Sequence, residues 1–402
     1  MKTSLLYCAV ALALTLLTGC PAPENNECKI DRDCFLGESC QAGECLESVI
    51  VCGEDTIACP EGCCSAPSLP SHEVAFISDA FSPHGALAVD DSGMPHIITT
   101  RDDEGLLLLT WGGSSWQSTT PALSKISAQN ARMRASFHEG ELYILFCGSS
   151  PDDGLGPALA WQQDGLWHAE IVAIVNTCPN DLWLAFDSHG TPHVIYRYMS
   201  RIERAYRDEF TRWQMTLHVQ NDWLGFDTPM TIDSRDRLHI VYGTVEGLNY
   251  DILDGDTVEN HFFDSGPAPD PAIALDADDR LHVIFTASKH DGLSVPQDLE
   301  YVVHDGTAWS DSVKVEDRLS VIYNATAIID GHGRLHTAYS NGQLNNLKMS
   351  TWDGERWRGT TIDSDGDTGH NSRLVIDGWN RKHFSYFEYH GDKLRLHYRW
   401  IP

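Results

Sequence analysis

Basic residues are scarce in this chain of 402 residues: 28 Lys and Arg stand against 58 Asp and Glu, and the formal net charge is −30. Such an excess of negative charge repels phosphate backbones and anionic lipids, which excludes nucleic acid and anionic membrane surfaces as partners through general electrostatics. The charge therefore acts mainly on solubility. With 42% apolar residues, the chain is long enough for one large core or two domains.

Long apolar runs are also lacking. The single candidate, 5–17 after Lys2, is too short to span a bilayer comfortably and is typical of an export signal. The next residues, Leu-Thr-Gly-Cys at 17–20, resemble the bacterial lipoprotein signal, which implies removal of residues 1–19 and a lipid on Cys20. Pro21 replaces the Asp of the inner-membrane retention signal, so we expect a lipid-anchored envelope protein, at the outer membrane on its periplasmic or surface side. An ordinary secretory signal is the alternative.

Residues 20–64 lack Cys-x2-Cys pairs and contain no His, which argues against a zinc site as the alternative to disulfides. Besides Cys20 the segment holds eight cysteines: Cys28, Cys34, Cys40, Cys45, Cys52, Cys59, Cys63 and Cys64. Few apolar residues separate them, so disulfides are expected to replace a core. The stretch 28–45 resembles small extracellular knots with Cys-x5-Cys-x5-Cys-x4-Cys spacing. The pairing stays open, and residues 65–71 read as a linker.

One phrase recurs through residues 72–402: an apolar strand ends in Asp, a tight turn follows, and a His stands six residues after the Asp. The clearest copy is LAFDSHGTPHVIY at 184–196. The six pairs are Asp90 and His96, Asp187 and His193, Asp233 and His239, Asp276 and His282, Asp330 and His336, and Asp377 and His383. A seventh copy at 133–145 has Phe137 and Tyr143 at these positions. Copies about 45 residues apart are typical of four-stranded propeller blades.

The Asp–His pairs have two interpretations, a catalytic one and a structural one. A single active site needs one such pair and the chain has six, so we interpret them as hydrogen bonds that brace a repeated hairpin turn. Three residues after each Asp stands Gly, Asp or Asn, which tolerate the left-handed backbone that a short hairpin needs.

A second phrase, a turn with Asp-Gly or Gly-Gly before a Trp, supplies the third and fourth strands, as in LEYVVHDGTAW at 299–309. The repeats end on a third strand at 393–400 and begin with a lone strand at 73–78. We expect the lone strand to complete the last blade and remove its exposed edge. The predicted fold is therefore all-β: a seven-bladed β-propeller with 3+1 closure, preceded by a small disulfide-rich module. A six-bladed ring without 131–147 fails because 157–173 supplies that copy's outer hairpin.

The Asp-Gly-x-x-Trp turns resemble degenerate Asp-boxes of sialidase-like propellers over 72–402, without the Ser of the box and with Asp and Gly adjacent. The resemblance implies the fold and not an activity. A sialidase would also need three converging arginines beside a Tyr, for which Arg132, Arg197, Arg373 and Tyr323 are candidates. The Phe/Tyr-Arg-Ile-Pro motif of that family is absent from the sequence, which ranks a hydrolase below a binding protein.

The Asp turns are uniformly short, whereas the opposite face of the propeller carries long and irregular loops, where function usually lies. Residues just before the inner strands, or at the end of a second strand, should ring the mouth of the central channel. This candidate ligand site comprises Arg132, Asn180, Asp181, Arg197, Asp227, Asp270, Tyr323, Asn324, His370 and Arg373. Solvated loop residues around a water-filled channel are the alternative.

Two further patterns lie on the same face. Cys147 and Cys178 fall on neighbouring blades and are predicted to form a disulfide, with two buried thiols as the alternative. Asp363, Asp365 and Asp367 alternate as in some calcium loops, but no Glu follows at the bidentate position, and a polar turn is favoured. No other cofactor is expected.

Three function classes fit these observations. We favour a monomeric binding protein for carbohydrate, without catalysis, whose only membrane contact is the lipid anchor. A sialidase-like glycoside hydrolase or a polysaccharide lyase is the first alternative. A scaffold that binds another envelope protein is the second.

Overall fold

The computed structural model describes residues 38–41, 44–47, 56–59, 62–65, 69, 75–77 and 84–402, without 102–104, 124, 130–131, 209–211, 267–269, 288–296, 320–324, 343 and 392. The chain divides into two compact units, Met1–Ala66 and Pro67–Pro402. Cys20 and its predicted lipid lie outside the described residues. Within the part of the chain that is described, no helix is long and apolar enough to cross a membrane.

The described residues of the first unit form two antiparallel hairpins within the cysteine-rich segment. Strand Glu38–Gln41 pairs with Glu44–Glu47, and Thr56–Cys59 pairs with Gly62–Ser65.

The second unit is a seven-bladed β-propeller, which confirms the predicted fold class. Its blades are antiparallel sheets, and each runs from an inner strand at the channel to an outer strand. In that order, blade 1 has Gly85–Val89, Pro95–Arg101, Gly105–Trp111 and Trp116–Thr119; blade 2 has Arg134–His138, Glu141–Ser150, Gly154–Gln163 and Leu166–Ile171, with Ser127–Ala128 also paired to its second strand; blade 3 has Asp181–Phe186, Pro192–Tyr198, Arg201–Arg207 and Trp213–Gln220.

The remaining four blades repeat this pattern. Blade 4 has Met230–Ile232, Leu238–Gly243, Leu248–Asp254 and Thr257–Phe263; blade 5 has Pro271–Leu275, Leu281–Ala287, Gln297–His304 and Val313–Leu319; blade 6 has Ile328–Ile329, Leu335–Asn341, Asn346–Trp352 and Trp357–Asp363; blade 7 has Asp367–Ile376, Lys382–His390, Lys393–Ile401 and Ala75–Ile77.

The ring closes as the sequence predicts. Strand Ala75–Ile77 pairs antiparallel with Lys393–Ile401 as the outer strand of blade 7. Because the first and last parts of the propeller share one sheet, their hydrogen bonds close the circle, and the third strand of blade 7 is not left as an open edge.

The hydrophobic core lies between adjacent blades and not within one layer. Val241 and Tyr250 of blade 4, for example, share a buried cluster with Val283, Phe285 and Val302 of blade 5. Burying each such side chain contributes about 1.5–3 kcal/mol, so neighbouring blades stabilise each other.

The repeated Asp braces the turn between the first and second strands. In all six copies one carboxylate oxygen accepts hydrogen bonds from the backbone N–H groups two and four residues later, at 2.8–3.0 Å. The second oxygen accepts the Nε2–H of the partner His at 2.9–3.2 Å. All six Asp–His pairs therefore hold a turn, as their repetition suggested.

Two additions to this brace were not anticipated from the sequence. Four turns carry an Arg four residues after the Asp, and its Nε–H donates to the second oxygen at 2.6–2.9 Å: Arg237, Arg280, Arg334 and Arg381. In blades 4, 5 and 7 the Nδ1 of the His accepts the hydroxyl hydrogen of a Tyr on the third strand: Tyr250, Tyr301 and Tyr398. The turn is thus coupled to the blade interior.

These bonds shift the pKa values of the buried partners. Burial alone would raise the pKa of Asp233, but hydrogen bonds from Arg237, His239 and Arg235 outweigh it and lower that pKa to about 2. Burial lowers the pKa of His239, against the opposing effect of Asp233. At neutral pH the turn thus combines an ionised Asp with a neutral His.

The turn position three residues after each Asp has the left-handed backbone that its residue type predicts. Asp236, Asp279 and Asn380 have φ values of 63°, 59° and 59°. Their side chains also link blades, a role that the sequence did not reveal. Ser188 of blade 3, for example, donates its backbone N–H and its hydroxyl to the Asp236 carboxylate at 2.7 and 2.6 Å.

Blade 2 corrects one sequence assignment. Its Tyr143 pairs with Ser136, as His96 pairs with Ala88 in blade 1. The inner strand is therefore displaced by one residue, and His138, not Phe137, stands where the other blades have Asp. The cause is a shorter turn, because His138 pairs directly with Glu141. His138 makes no Asp-type brace and stacks on Phe186 of blade 3, with ring centroids 4.2 Å apart.

We predict that Asp377→Asn lowers the free energy of unfolding by about 3 kcal/mol, because the amide then faces two donors, Arg381 Nε and His383 Nε2, inside the protein. Urea unfolding followed by tryptophan fluorescence measures the change. Asp278→Asn is the control: this carboxylate is 75% exposed, and its loss should change stability by less than about 0.5 kcal/mol. Equal unfolding midpoints for the two variants would contradict the bracing role.

We also predict that the propeller loses stability on acidification. Histidines with a lowered pKa stay neutral in the folded state while the unfolded chain protonates below about 6.5, so the free energy of unfolding falls from there downward. Below about pH 4 the turn aspartates add to the fall, down to about pH 2 for Asp233.

Unfolding midpoints at pH 8, 7, 6 and 5 test this sign. His239→Gln should make the fall between pH 7 and pH 5 shallower than in the wild type. His189→Gln, at a side chain that is 80% exposed, should leave it unchanged. A wild-type protein more stable at pH 5 than at pH 7 would refute the assignment.

Candidate functional site

The inner strands of six blades each deliver one described residue to the mouth of the channel, on the face opposite the Asp turns. It stands six residues before the turn Asp, or before His138 in blade 2. We call this set the mouth ring: His84, Arg132, Asp181, Asp227, Asp270 and Asn371. Four of the ten predicted site residues belong to it. The same sequence position in blade 6 is the predicted Asn324, which lies outside the described residues, as does the predicted Tyr323.

On one side of the mouth, charged residues of three blades pair with one another. Arg132 of blade 2 forms an ion pair with Asp227 of blade 4, and its Nη1 lies 3.5 Å from Asp181 Oδ1 of blade 3. Arg134, one step deeper in blade 2, donates to the same Asp181 oxygen at 3.2 Å. We call Arg132, Arg134, Asp181 and Asp227 the paired arc.

Asp181 is the centre of the paired arc and is only 1% exposed. Its other oxygen, Oδ2, accepts the indole N–H of Trp183 at 2.8 Å and the backbone N–H of Thr228 at 2.7 Å. The guanidinium of Arg134 lies 4.3 Å above the Trp183 ring. Asp181 is thus fixed by three hydrogen-bonded neighbours, and Arg134 is fixed by Asp181 and by the Trp183 ring, so the arrangement is rigid.

The electrostatics agree with this pairing. Burial would raise the pKa of Asp227, but Arg132, Arg134 and Arg373 outweigh it and lower the pKa. Burial would likewise lower the pKa of Arg132, yet the carboxylates of Asp227, Asp181 and Asp270 raise it. Asp227 and Arg132 therefore stay charged at neutral pH.

The rest of the mouth differs, because buried polar atoms there have no hydrogen-bond partner among the described residues. They are Asp270 Oδ1, Thr228 Oγ1, Ser372 Oγ and Arg373 Nε. Asp270 is 4% exposed and Ser372 is fully buried. We call Asp270, Ser372 and Arg373 the open arc. Unfilled hydrogen-bonding capacity at a buried position is costly, and a polar ligand can fill it.

The pKa values of Asp270 and Arg373 shift in the opposite direction to those of Asp227 and Arg132, while burial lowers the pKa of Arg134 as it does that of Arg373. Burial and the nearby Asp227 raise the pKa of Asp270 well above its usual range. Burial, followed by the cations Arg134 and Arg132, lowers the pKa of Arg373. Both shifts disfavour the charged form, as expected for charges that lack a close counter-ion.

The imidazole of His370 lies at the edge of the mouth on blade 7. His370 donates its Nε2–H to Asp367 Oδ1 at 2.7 Å, and its ring packs edge-on against Tyr389, with ring centroids 4.6 Å apart. Tyr389 is 40% exposed. The predicted His370 is therefore placed beside an exposed aromatic surface that the sequence did not single out.

The two predicted residues of blade 3 have smaller roles. Arg197 is 9% exposed, donates weakly to the carbonyl of Phe226 at 3.4 Å, and has an Nε without a partner among the described residues. Asn180 is exposed, and its backbone N–H donates to the carbonyl of Arg197 at 2.8 Å. Arg132 is occupied by Asp227, so Arg132, Arg197 and Arg373 do not form a free triad of arginines.

Cys147 and Cys178 form the expected disulfide, with Cα atoms 5.6 Å apart. Cys178 lies three residues before Asp181 in the loop that joins blades 2 and 3. The disulfide ties this loop to the second strand of blade 2 and so limits the movement of the carboxylate that centres the paired arc.

The candidate calcium pattern is used internally. Asp363 accepts the hydroxyl hydrogen of Tyr386 at 2.5 Å and lies 3.4 Å from Arg399, while Asp367 is bonded to His370. Across the described ranges there is no group of three or more His, Cys, Asp or Glu that could hold a metal ion.

Sequence reasoning missed Arg134, Trp183 and Ser372. Ser372 adjoins the predicted Arg373, and Trp183 follows the predicted Asp181 by two residues. Extending the predicted site by one or two residues along each inner strand would therefore have found both. Arg134 was hidden by the displaced register of blade 2. Counting back from His138 places Arg134 level with Trp183 and Arg373.

No family model matches the chain, and no curated protein matches it. Among solved structures, virginiamycin B lyase from Staphylococcus aureus superposes with a TM-score of 0.50 at 11% identity, over 81% of this chain and 99% of that one. An ulvan lyase, a polysaccharide lyase bound to -[GlcA(1-4)Rha3S]-, superposes with a TM-score of 0.50 at 12% identity, over 65% of this chain and 78% of that one. The Aleuria aurantia lectin gives 0.47 at 12% identity, over 71% and 97%. At these identities, the two structures with a TM-score of 0.50 show that the chain has a propeller fold.

Proposed function

We propose that this protein binds carbohydrate at the channel mouth, without catalysis, and that the lipid on Cys20 anchors it in the bacterial envelope. The observation that carries the proposal is the open arc. There, Asp270, Ser372 and Arg373 keep buried polar atoms unpartnered among the described residues. Sugar hydroxyls both donate and accept hydrogen bonds, so a saccharide suits a mixed set of an acid, a hydroxyl and a guanidinium.

The two faces of the propeller support this location. At the Asp turns the carboxylates are consumed by backbone N–H groups and by His and Arg side chains. At the mouth the open arc keeps hydrogen-bonding capacity, and Tyr389 of blade 7 offers an exposed ring. Binding sites combine a few converging polar groups with apolar or aromatic surface, which is the composition of the open arc and its edge.

The paired arc supports binding by rigidity. Arg132, Arg134, Asp181 and Asp227 neutralise one another and are fixed by Trp183 and Thr228. Asp270 is held beside this fixed network. A preorganised site loses little side-chain entropy when a ligand binds. The ulvan lyase that shares the fold is a polysaccharide lyase with a saccharide bound, so a propeller of this kind accommodates sugars in that protein.

A glycan and polysaccharide array, probed with the purified full chain, tests the proposal. We expect the wild type to bind, and an Asp270→Ala/Ser372→Ala double variant to bind at least about tenfold more weakly, because it removes two hydrogen-bonding groups at a buried site. Asp278→Ala, which alters an exposed carboxylate on the opposite face, should bind as the wild type does.

Turnover of any bound polysaccharide, seen as released fragments, would overturn the non-catalytic part of the proposal. The absence of binding at high protein concentration would overturn the carbohydrate proposal itself and favour an envelope protein as the partner.

A further inference from the structure

We infer that the saccharide bound at the open arc is acidic, and that the guanidinium of Arg373 binds its carboxylate or sulfate group. This inference rests on the proposed function and deepens it. It is carried by a comparison between two equivalent arginines of the repeat, one with a carboxylate partner and one without.

Arg134 of blade 2 shows what an arginine at this level of the inner strand does when an acid is near. It stands four residues before the end of its inner strand, at His138, just as Arg373 stands four residues before Asp377 in blade 7. Arg134 Nη2 reaches the mouth-ring residue of the next blade, Asp181, at 3.2 Å. Arg134 thus has a carboxylate partner inside the protein, which offsets part of the effect of its burial.

Arg373 meets a different neighbour. The blade that follows blade 7 is blade 1, and its mouth-ring residue is His84 in place of an Asp. Burial and the cations Arg132, Arg373 and Arg134 lower the pKa of His84 to about 4, so the imidazole is neutral at pH 7. The position that supplies a carboxylate to Arg134 therefore supplies no negative charge to Arg373.

The contacts of Arg373 within the described part of the chain agree. Its Nη1 donates to the carbonyl of Ser372 at 3.2 Å, and its Nε is buried without a partner. The carboxylates of Asp227 and Asp181, which favour its charge, already bind Arg132 and Arg134. The Nε side of this half-buried guanidinium fork is therefore available for an anion, while Nη1 is used by the carbonyl of Ser372.

The anion must come from the ligand and must suit this fork. Carboxylates and sulfates accept two parallel hydrogen bonds from a guanidinium, and both occur on acidic polysaccharides. Asp270 lies on the same arc with Oδ1 unpartnered and is suited to a sugar hydroxyl beside the acidic group. The ligand class is therefore a uronate or a sulfated sugar. The overall charge of −30 does not oppose this, since the local field of the mouth governs binding there.

The experiment is calorimetric titration of the full chain with three oligosaccharides of matched length: an oligogalacturonate, a sulfated galactan and a neutral galactan. We expect the wild type to prefer one of the two acidic ligands over the neutral one. Arg373→Gln should weaken binding of that ligand roughly tenfold to a hundredfold, the usual range for a lost charge-assisted hydrogen bond. The affinity of Arg373→Lys for that ligand should lie between those of the wild type and Arg373→Gln, since lysine keeps the positive charge but loses the two-pronged guanidinium geometry.

Two further variants separate this effect from misfolding and from general charge. Arg356→Gln removes the same charge at a side chain that is 68% exposed and should bind as the wild type does. His84→Asp gives Arg373 the partner that Arg134 has in Asp181. It should weaken binding of the acidic ligand while the melting temperature stays equal or rises.

The outcomes are distinct. Equal affinity for neutral and acidic ligands, with no effect of Arg373→Gln, would overturn this inference and leave the carbohydrate proposal standing. Binding of no saccharide would overturn both. Tighter binding of the oligogalacturonate would assign the carboxylate, and tighter binding of the sulfated galactan would assign the sulfate. Loss of acidic-ligand binding in His84→Asp at unchanged stability supports the inference in a variant that leaves Arg373 itself in place.

Discussion

The structure depends on one carboxylate that is used again in each of six blades. One oxygen of the turn Asp accepts hydrogen bonds from two backbone N–H groups. Its other oxygen accepts a hydrogen bond from a His and, in four turns, from an Arg as well. Because these bonds fix where the inner strand ends, they also fix where its residues lie six positions earlier, at the mouth of the channel. The face that holds the hairpins together thus positions the face that carries the candidate site.

The candidate site of this propeller lies where the repeats differ. The shorter turn of blade 2 displaces its inner strand and brings Arg132 and Arg134 to the levels of Asp181 and Trp183 in blade 3. The charged side chains of blades 2 to 4 then pair with one another across part of the mouth. Blades 5 and 7 contribute Asp270 and Arg373, each of which has one buried polar atom without a partner among the described residues. In a ring of identical blades, the polar side chains at the mouth would either all be paired or all be unpaired.

Much of this follows from the sequence, for physical reasons. The spacing of Asp and His predicts the blades and their turns, because a hairpin brace is local in the chain. The left-handed residues Gly93, Asp236 and Asn380 are predictable for the same reason. The 3+1 closure follows from counting the strands of each blade, and the Cys147–Cys178 disulfide follows from the two neighbouring blades that carry these residues on one face. The pairing of Arg132 with Asp227 is not, since it joins blades 2 and 4 and depends on distances across the channel. The register of blade 2 also escapes prediction, because Phe137 aligns with Asp in sequence while His138 takes its place in space.

The central claim is that the open arc is a binding site completed by a ligand. A crystal structure of the full chain soaked with the preferred oligosaccharide tests it most directly. The account predicts a sugar in the mouth, with its acidic group on Arg373 and a hydroxyl on Asp270, and with the paired arc unchanged. A sugar bound elsewhere, or an arc in which Arg373 and Asp270 pair with each other and exclude the ligand, would contradict the account.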